Sequence, residues 1–223
     1  MKFRYFLFAA LLCVSAGAAQ AVTYDINYDI PGSFGIGSGD TVNMTSGTID
    51  VYLGAHGDGI INMSGGSVGG LMGYDTSTIN FSGGDVYDLE SGSGPTTVNM
   101  TGGHILTYLQ TWGGSTVTIS GGEIDGSIVV GTGSTLNLFG QDLAFNPDPT
   151  APLAGYGYGL PFKFTGHISD GTDFTGVYLY ADDPASIDII NRNAASVPEP
   201  GSIQMLGALL GSGAFGLLRR RRA

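Results

Sequence analysis

TVNMTGG, residues 97–103, is one of six similar segments that follow one another along the chain at almost constant spacing. The others are TVNMTSG (41–47), IINMSGG (60–66), TINFSGG (78–84), TVTISGG (116–122) and TLNLFGQ (135–141). Their starts are separated by 19, 18, 19, 19 and 19 residues. A helix-pair repeat takes about 33 residues or more, so each of these repeats is predicted to consist of strands.

Within each segment the second and fourth positions are apolar, while the first, third and fifth are mostly Thr, Asn or Ser. This alternation with a period of two predicts a strand with one buried face. The apolar pairs are Val42/Met44, Ile61/Met63, Ile79/Phe81, Val98/Met100, Val117/Ile119 and Leu136/Leu138.

A further apolar position follows the glycines of each repeat and predicts a second short strand. These positions are Ile49, Val68, Val86, Ile105, Ile124 and Leu143. The glycines between the two strands indicate a corner, because glycine adopts positive φ and lets backbones approach closely. The remainder of the repeat predicts a third side or a turn. The sequence leaves open which residue of the pairs Tyr52/Leu53, Leu71/Met72 and Tyr108/Leu109 points inward.

One repeat cannot bury enough apolar surface to fold alone, so the copies are expected to stack and share a core. The predicted fold is all-β: a single-stranded parallel β-helix of about six rungs over residues 41–145. Within residues 22–40, Tyr24 and Ile26 occupy the positions of the apolar pair of the later repeats, so this segment is expected to form a degenerate rung or N-terminal cap. Residues 146–196 are expected to form a linker and a β cap, with a hairpin over Leu160–Ile168 and Thr172–Tyr180 and a strand at Ser186–Ile190.

The N-terminus has the pattern of a secretory signal peptide. Lys2 and Arg4 precede an apolar run that ends at Ala18, and the small residues Ala19 and Ala21 predict cleavage after residue 21. A membrane anchor is the alternative, but the run is shorter than the roughly 20 residues of a span. A hydrophobic targeting helix is therefore expected at the N-terminus, and a second one is expected in the apolar stretch at the C-terminus.

The predicted mature chain is strongly acidic and lacks cysteine, since the one cysteine, Cys13, lies in the signal peptide. Residues 22–200 contain 2 basic and 19 acidic residues, which gives 2 − 19 = −17. Such a surface repels nucleic acid, so no nucleic-acid partner is expected. Without disulfides, stability must come from the stacked strands.

The C-terminal segment, residues 197–223, combines three features. The tripeptide Pro198-Glu199-Pro200 precedes the apolar stretch 201–218, and basic residues close the chain. The basic residues are Arg219, Arg220, Arg221 and Arg222. This order resembles the PEP-CTERM sorting signal of Gram-negative bacteria, and the repeat region resembles autotransporter passenger domains. The resemblance implies an exported protein held transiently in the inner membrane by its tail, cut by an exosortase and delivered to the cell surface or outside.

One column of the predicted solenoid contains ionisable side chains. The residue after the glycine corner is Thr48, Ser67, Asp85, His104 or Glu123 on successive rungs. His104 between two acids could form a metal or acid–base site. Because no second histidine lies nearby, the favoured interpretation is that His104 relieves repulsion between like charges. No cofactor and no metal are expected.

The outward Thr, Asn and Ser residues of the first strands predict a flat polar grid that could bind sugar chains or ice, or that could simply stack well in a ladder. An enzyme is not favoured, because both basic residues of the mature chain, Lys163 and Arg192, lie beyond the solenoid. We therefore expect a secreted structural protein of the exopolysaccharide or biofilm matrix, whose partners are the exosortase, the secretion machinery and an exopolysaccharide. A protein that binds or degrades polysaccharide is the alternative, and an ice-binding module is a weaker one.

Overall fold

A computed structural model describes residues 20–147, 162–168, 171, 178–181 and 187–191. These residues contain strands and no helix. The strands are β1 Thr23–Ile26, β2 Phe34–Ile36, β3 Thr41–Met44, β4 Thr48–Ala55, β5 Ile60–Gly73, β6 Thr78–Ser91, β7 Thr97–Thr111, β8 Thr116–Ile124, β9 Ser127–Val130, β10 Thr135–Pro147, β11 Phe162–Ile168, β12 Tyr178–Ala181 and β13 Ile187–Asn191.

The six repeat segments stack in parallel and in register, because they place apolar side chains at equivalent positions. The second position of each repeat pairs with that of the next: Val42, Ile61, Ile79, Val98, Val117 and Leu136. These side chains are fully buried, as are the fourth-position residues, which include Met63 and Phe81. The predicted β-solenoid of about six turns is confirmed.

The glycine corners take the form that the sequence predicts. In the first five repeats the segment ends in a glycine with positive φ: Gly47 (84°), Gly66 (90°), Gly84 (94°), Gly103 (84°) and Gly122 (97°). A Cβ atom on Gly84 would lie 2.5 Å from the carbonyl oxygen of Gly66 in the rung below. The column therefore needs glycine both for its backbone conformation and for the closeness of successive rungs.

The third side of each rung is a strand, continuous in β5, β6 and β7 with the two strands before it. Its inward residues pair from rung to rung: Phe34, Leu53, Leu71, Leu89, Leu109, Ile128 and Leu179. Leu53, Leu71 and Leu109 are fully buried, whereas Tyr52 is 40% exposed. The inward residues of the stacked strands together form one continuous apolar core.

Both ends of the solenoid are extended by further strands. β1 pairs in parallel with β3 and places Tyr24 opposite Val42 and Ile26 opposite Met44. At the other end β13 pairs in parallel with β10, and β12 pairs in parallel with β9. β11 runs antiparallel to both β10 and β12. The residues after the repeats thus cover the last rung.

Candidate functional site

The polar grid on the outward face of the first strands is a ladder of side-chain amides. Each Nδ2 donates to the Oδ1 of the rung before it, and the contacts run from Asn99 to Asn80 (3.0 Å), from Asn80 to Asn62 (2.8 Å), from Asn62 to Asn43 (2.9 Å) and from Asn43 to Asp25 (2.9 Å). The asparagines are half-buried. Since each amide already bonds to its neighbours, this face offers a ligand fewer free groups than the sequence pattern indicates.

His104 lies beside acidic residues of both neighbouring rungs. The strand register places it opposite Asp85 of β6 and Glu123 of β8. Its Nδ1 is 3.7 Å from Asp85 Oδ1, and its Nε2 is 3.0 Å from Asp125 Oδ2. Ligand atoms of His104, Glu123 and Asp125 all lie within 4.8 Å of one another. The structure brings the three predicted residues together and adds Asp125.

Asp125 was missed by the sequence analysis, although the sequence contains a signal for it. Glu123 and Asp125 flank the buried Ile124, so they point to the same outward face of the rung. The backbone N–H of Asp125 donates to the carbonyl of Ile105 at 3.0 Å, which holds Asp125 on the rung beside His104. Both carboxylates are exposed, whereas His104 is half-buried.

The third strands carry a second cluster on their outward face, which we call the tyrosine face: Tyr52, Asp88, Glu90 and Tyr108. Tyr108 donates a hydrogen bond to Glu90 Oε1 at 2.9 Å. Partial burial, reinforced by the charge of Glu90, raises the pKa of Asp88, and the nearby hydroxyl of Tyr108 opposes this rise. Burial and the bond to Glu90 also raise the pKa of Tyr108. The face therefore combines phenol rings with carboxylates.

Further rings border the tyrosine face at the turn after the third strand. The rings of His56 and Tyr74 stack with their centroids 4.7 Å apart and an interplanar angle of 8°. Tyr74 lies against Gly92 of the next rung, and Trp112 lies against Gly131. The absence of a side chain at these glycines leaves space for the large rings of the rung below.

The predicted sorting residues, Pro198 to Pro200 and Arg219 to Arg222, lie outside the described residues. So do Ala19 and both predicted hydrophobic helices. Within the described part of the chain, none of the elements is a helix with the length and apolar character needed to cross a membrane. Ala21 is exposed and lies two residues before the first residue of the first strand, Thr23.

Fold and tail together define a class: a β-solenoid followed by a C-terminal sorting signal. The model of the PEP-CTERM protein-sorting motif matches residues 196–222, so the chain carries that motif. The motif implies an exported protein that is processed by an exosortase and reaches the cell surface or the exterior. No curated protein and no solved structure matches the chain.

Proposed function

We propose that this protein is a non-enzymatic structural component of the bacterial surface or its exopolysaccharide matrix. The observation that carries the proposal is the sorting motif at residues 196–222, in a chain whose repeats form a solenoid with one continuous core. A rod of stacked rungs is stabilised by contacts between neighbouring rungs, so it maintains its shape without disulfides. This suits a protein that acts outside the cell as a spacer or scaffold.

Signal-peptide cleavage after Ala21 is part of this proposal, and the first rung supports it. The backbone nitrogen of Val22 lies 2.9 Å from Asp40 Oδ1, and the Val22 carbonyl accepts from Thr41 N at 2.8 Å. Cleavage would turn the Val22 nitrogen into an ammonium group facing a carboxylate, and such charge-assisted hydrogen bonds are the stronger kind. The solenoid can therefore begin at the newly formed N-terminus.

Fractionation of host cells tests the sorting step. In cells with the exosortase the protein should appear in the surface or external fraction, and in cells without it the uncut protein should remain with the inner membrane. In cells that have the exosortase, the variant Glu199→Ala should also stay uncut in the inner membrane. An unchanged distribution in all three cases would contradict sorting through this motif.

The second candidate function is polysaccharide binding, favoured by the tyrosine face. Exposed aromatic rings offer apolar surfaces to the faces of sugar rings, and carboxylates accept hydrogen bonds from sugar hydroxyls. Tyr52 is 40% exposed and lies opposite Gly70 of the next rung, which has no side chain to cover the phenol ring. By contrast, the amides of the asparagine ladder bond to one another, so the tyrosine face is the better surface for a glycan.

Cosedimentation with the exopolysaccharide of the host tests this second function. The variant Tyr52→Ala should lower the bound fraction, whereas Tyr28→Ala, which removes a tyrosine that is 57% exposed elsewhere on the molecule, should not. Equal binding by both variants would contradict the assignment of the glycan to this face. Release of soluble sugars would instead favour polysaccharide degradation, with Asp88 and Glu90 as the candidate acids.

A further inference from the structure

We propose that His104, Glu123 and Asp125 form a binding site for one divalent transition-metal ion such as Zn²⁺, with Asp85 as a supporting residue. The sequence alone favours a different role for His104, namely relief of charge repulsion, because no second histidine lies nearby. The structure adds Asp125, and three ligand atoms on two adjacent rungs then converge. The proposal does not depend on the proposed function.

The position of Asp125 relative to the imidazole is the main argument. Oδ2 lies 3.0 Å from Nε2, yet the two atoms are not aligned for a hydrogen bond, and Nε2 is buried without another hydrogen-bond partner. A proton on Nε2 would therefore interact poorly with the carboxylate. Two ligand atoms bound to one metal at about 2.1 Å lie about 3.0 Å apart at an angle of about 90° and about 3.4 Å apart at the tetrahedral angle, so the observed separation is close to that of two ligands of one ion.

The opposite side of the ring supports the same assignment. Asp85 Oδ1 lies 3.7 Å from Nδ1 of His104. A carboxylate there favours the tautomer with hydrogen on Nδ1, which leaves Nε2 with a free lone pair on the side of the ring where Asp125 lies. In many metal sites an outer carboxylate orients the ring through a hydrogen bond to this nitrogen, and Asp85 would form one after a small approach from its present 3.7 Å.

The charge around the cluster also favours a cation. Residues 22–147 contain no lysine and no arginine, so none of the carboxylates of the solenoid repeats has a lysine or arginine in its own or an adjacent repeat. One imidazole nitrogen with two carboxylates selects borderline first-row ions such as Zn²⁺, whereas Ca²⁺ prefers a larger set of oxygen ligands. Because His104 belongs to β7 and Glu123 to β8, the ion would link two successive rungs.

Titration of the full-length chain with Zn²⁺ tests the site. The protein, purified in mild detergent and treated with a chelator, is followed by calorimetry, and we expect one Zn²⁺ per chain. The variants H104Q and D125N should weaken binding more than about 100-fold, while D85N should weaken it about 10- to 100-fold, as loss of a supporting residue does. Ca²⁺ should not displace the bound Zn²⁺ at equal concentration.

Two matched controls separate the site from general attraction to an acidic surface. H56Q removes an exposed solenoid histidine, and D50N removes an exposed carboxylate, Asp50, which follows the buried Ile49 as Asp125 follows Ile124. Both variants should bind Zn²⁺ like the wild type. If H104Q reduces the yield of folded protein, D125N still tests the site, because Asp125 is exposed and its substitution should weaken Zn²⁺ binding to the same extent. The absence of stoichiometric Zn²⁺ binding, or equal binding by D125N and D50N, would overturn the proposal.

Discussion

Gly84→Ala should destabilise the protein by two separable effects. Gly84 has φ of 94°, which costs an alanine about 1–2 kcal/mol. A Cβ atom would also lie 2.5 Å from Gly66 O and 2.8 Å from Gly65 C, both backbone atoms of the rung below. Relief of this overlap must separate the rungs, and overpacking of this kind costs about 1–3 kcal/mol. The expected total is about 2–5 kcal/mol.

Gly114→Ala is the matched control. Gly114 has φ of 85°, nearly the same strain, but the nearest atom to its Cβ would be Gly133 O at 3.9 Å. It should therefore lose only about 1–2 kcal/mol. Urea unfolding followed by far-UV circular dichroism measures both values. Equal losses in the two variants would show that the rungs are not in close contact at the Gly84 corner.

Two further predictions concern side chains on the outside of the solenoid. Asn80→Ala removes two ladder bonds, to Asn62 and from Asn99, and should lower the free energy of unfolding in urea by about 1–3 kcal/mol. The control Asn137→Ala removes one long bond, of 3.4 Å to Thr118, and should lower it by less. Equal losses would contradict a continuous ladder. For Asp88, the raised pKa means that the folded state binds the proton more tightly, so stability falls as pH rises from its ordinary pKa of 3.8 toward the raised value. Asp88→Asn should remove this fall and raise the free energy of unfolding at pH 7 by less than about 1 kcal/mol, because the carboxylate is half-exposed. The melting temperature measured against pH tests this, and a profile unchanged by the substitution would contradict the prediction.

The sequence was sufficient to predict the period, the first strands and the glycine corners. Each of these depends on local chemistry that repeats: alternating apolar residues in the strands and glycine where φ is positive. The stacking register then follows, because a shift of one residue would move Val98 and Met100 from the core to the surface.

The inward residues of the third strands could not be predicted, because the corner before them varies in length. Leu53 is the fourth residue after Ile49, but Leu71 is the third after Val68. The register shift between Ile49 and Tyr52 accommodates the additional residue. A change of one residue reverses which side chain points inward, so pairs such as Tyr52 and Leu53 were ambiguous.

The candidate metal site was predicted only in part for a related reason. The column of Asp85, His104 and Glu123 follows from the repeat spacing, and their pairing in the structure agrees with it. Asp125 lies beyond the end of β8, at the corner where the rungs differ in length. Its proximity to His104 depends on the path of that corner, which the repeat pattern does not specify.

The mass of the protein recovered from the outside of its native host tests the central claim most directly. Processing at both ends predicts a chain that begins at Val22 and ends near Pro198, without the four terminal arginines. Intact mass spectrometry, with peptide mapping of both ends, measures this. An external protein that retains residues 201–223 would contradict export through the sorting motif.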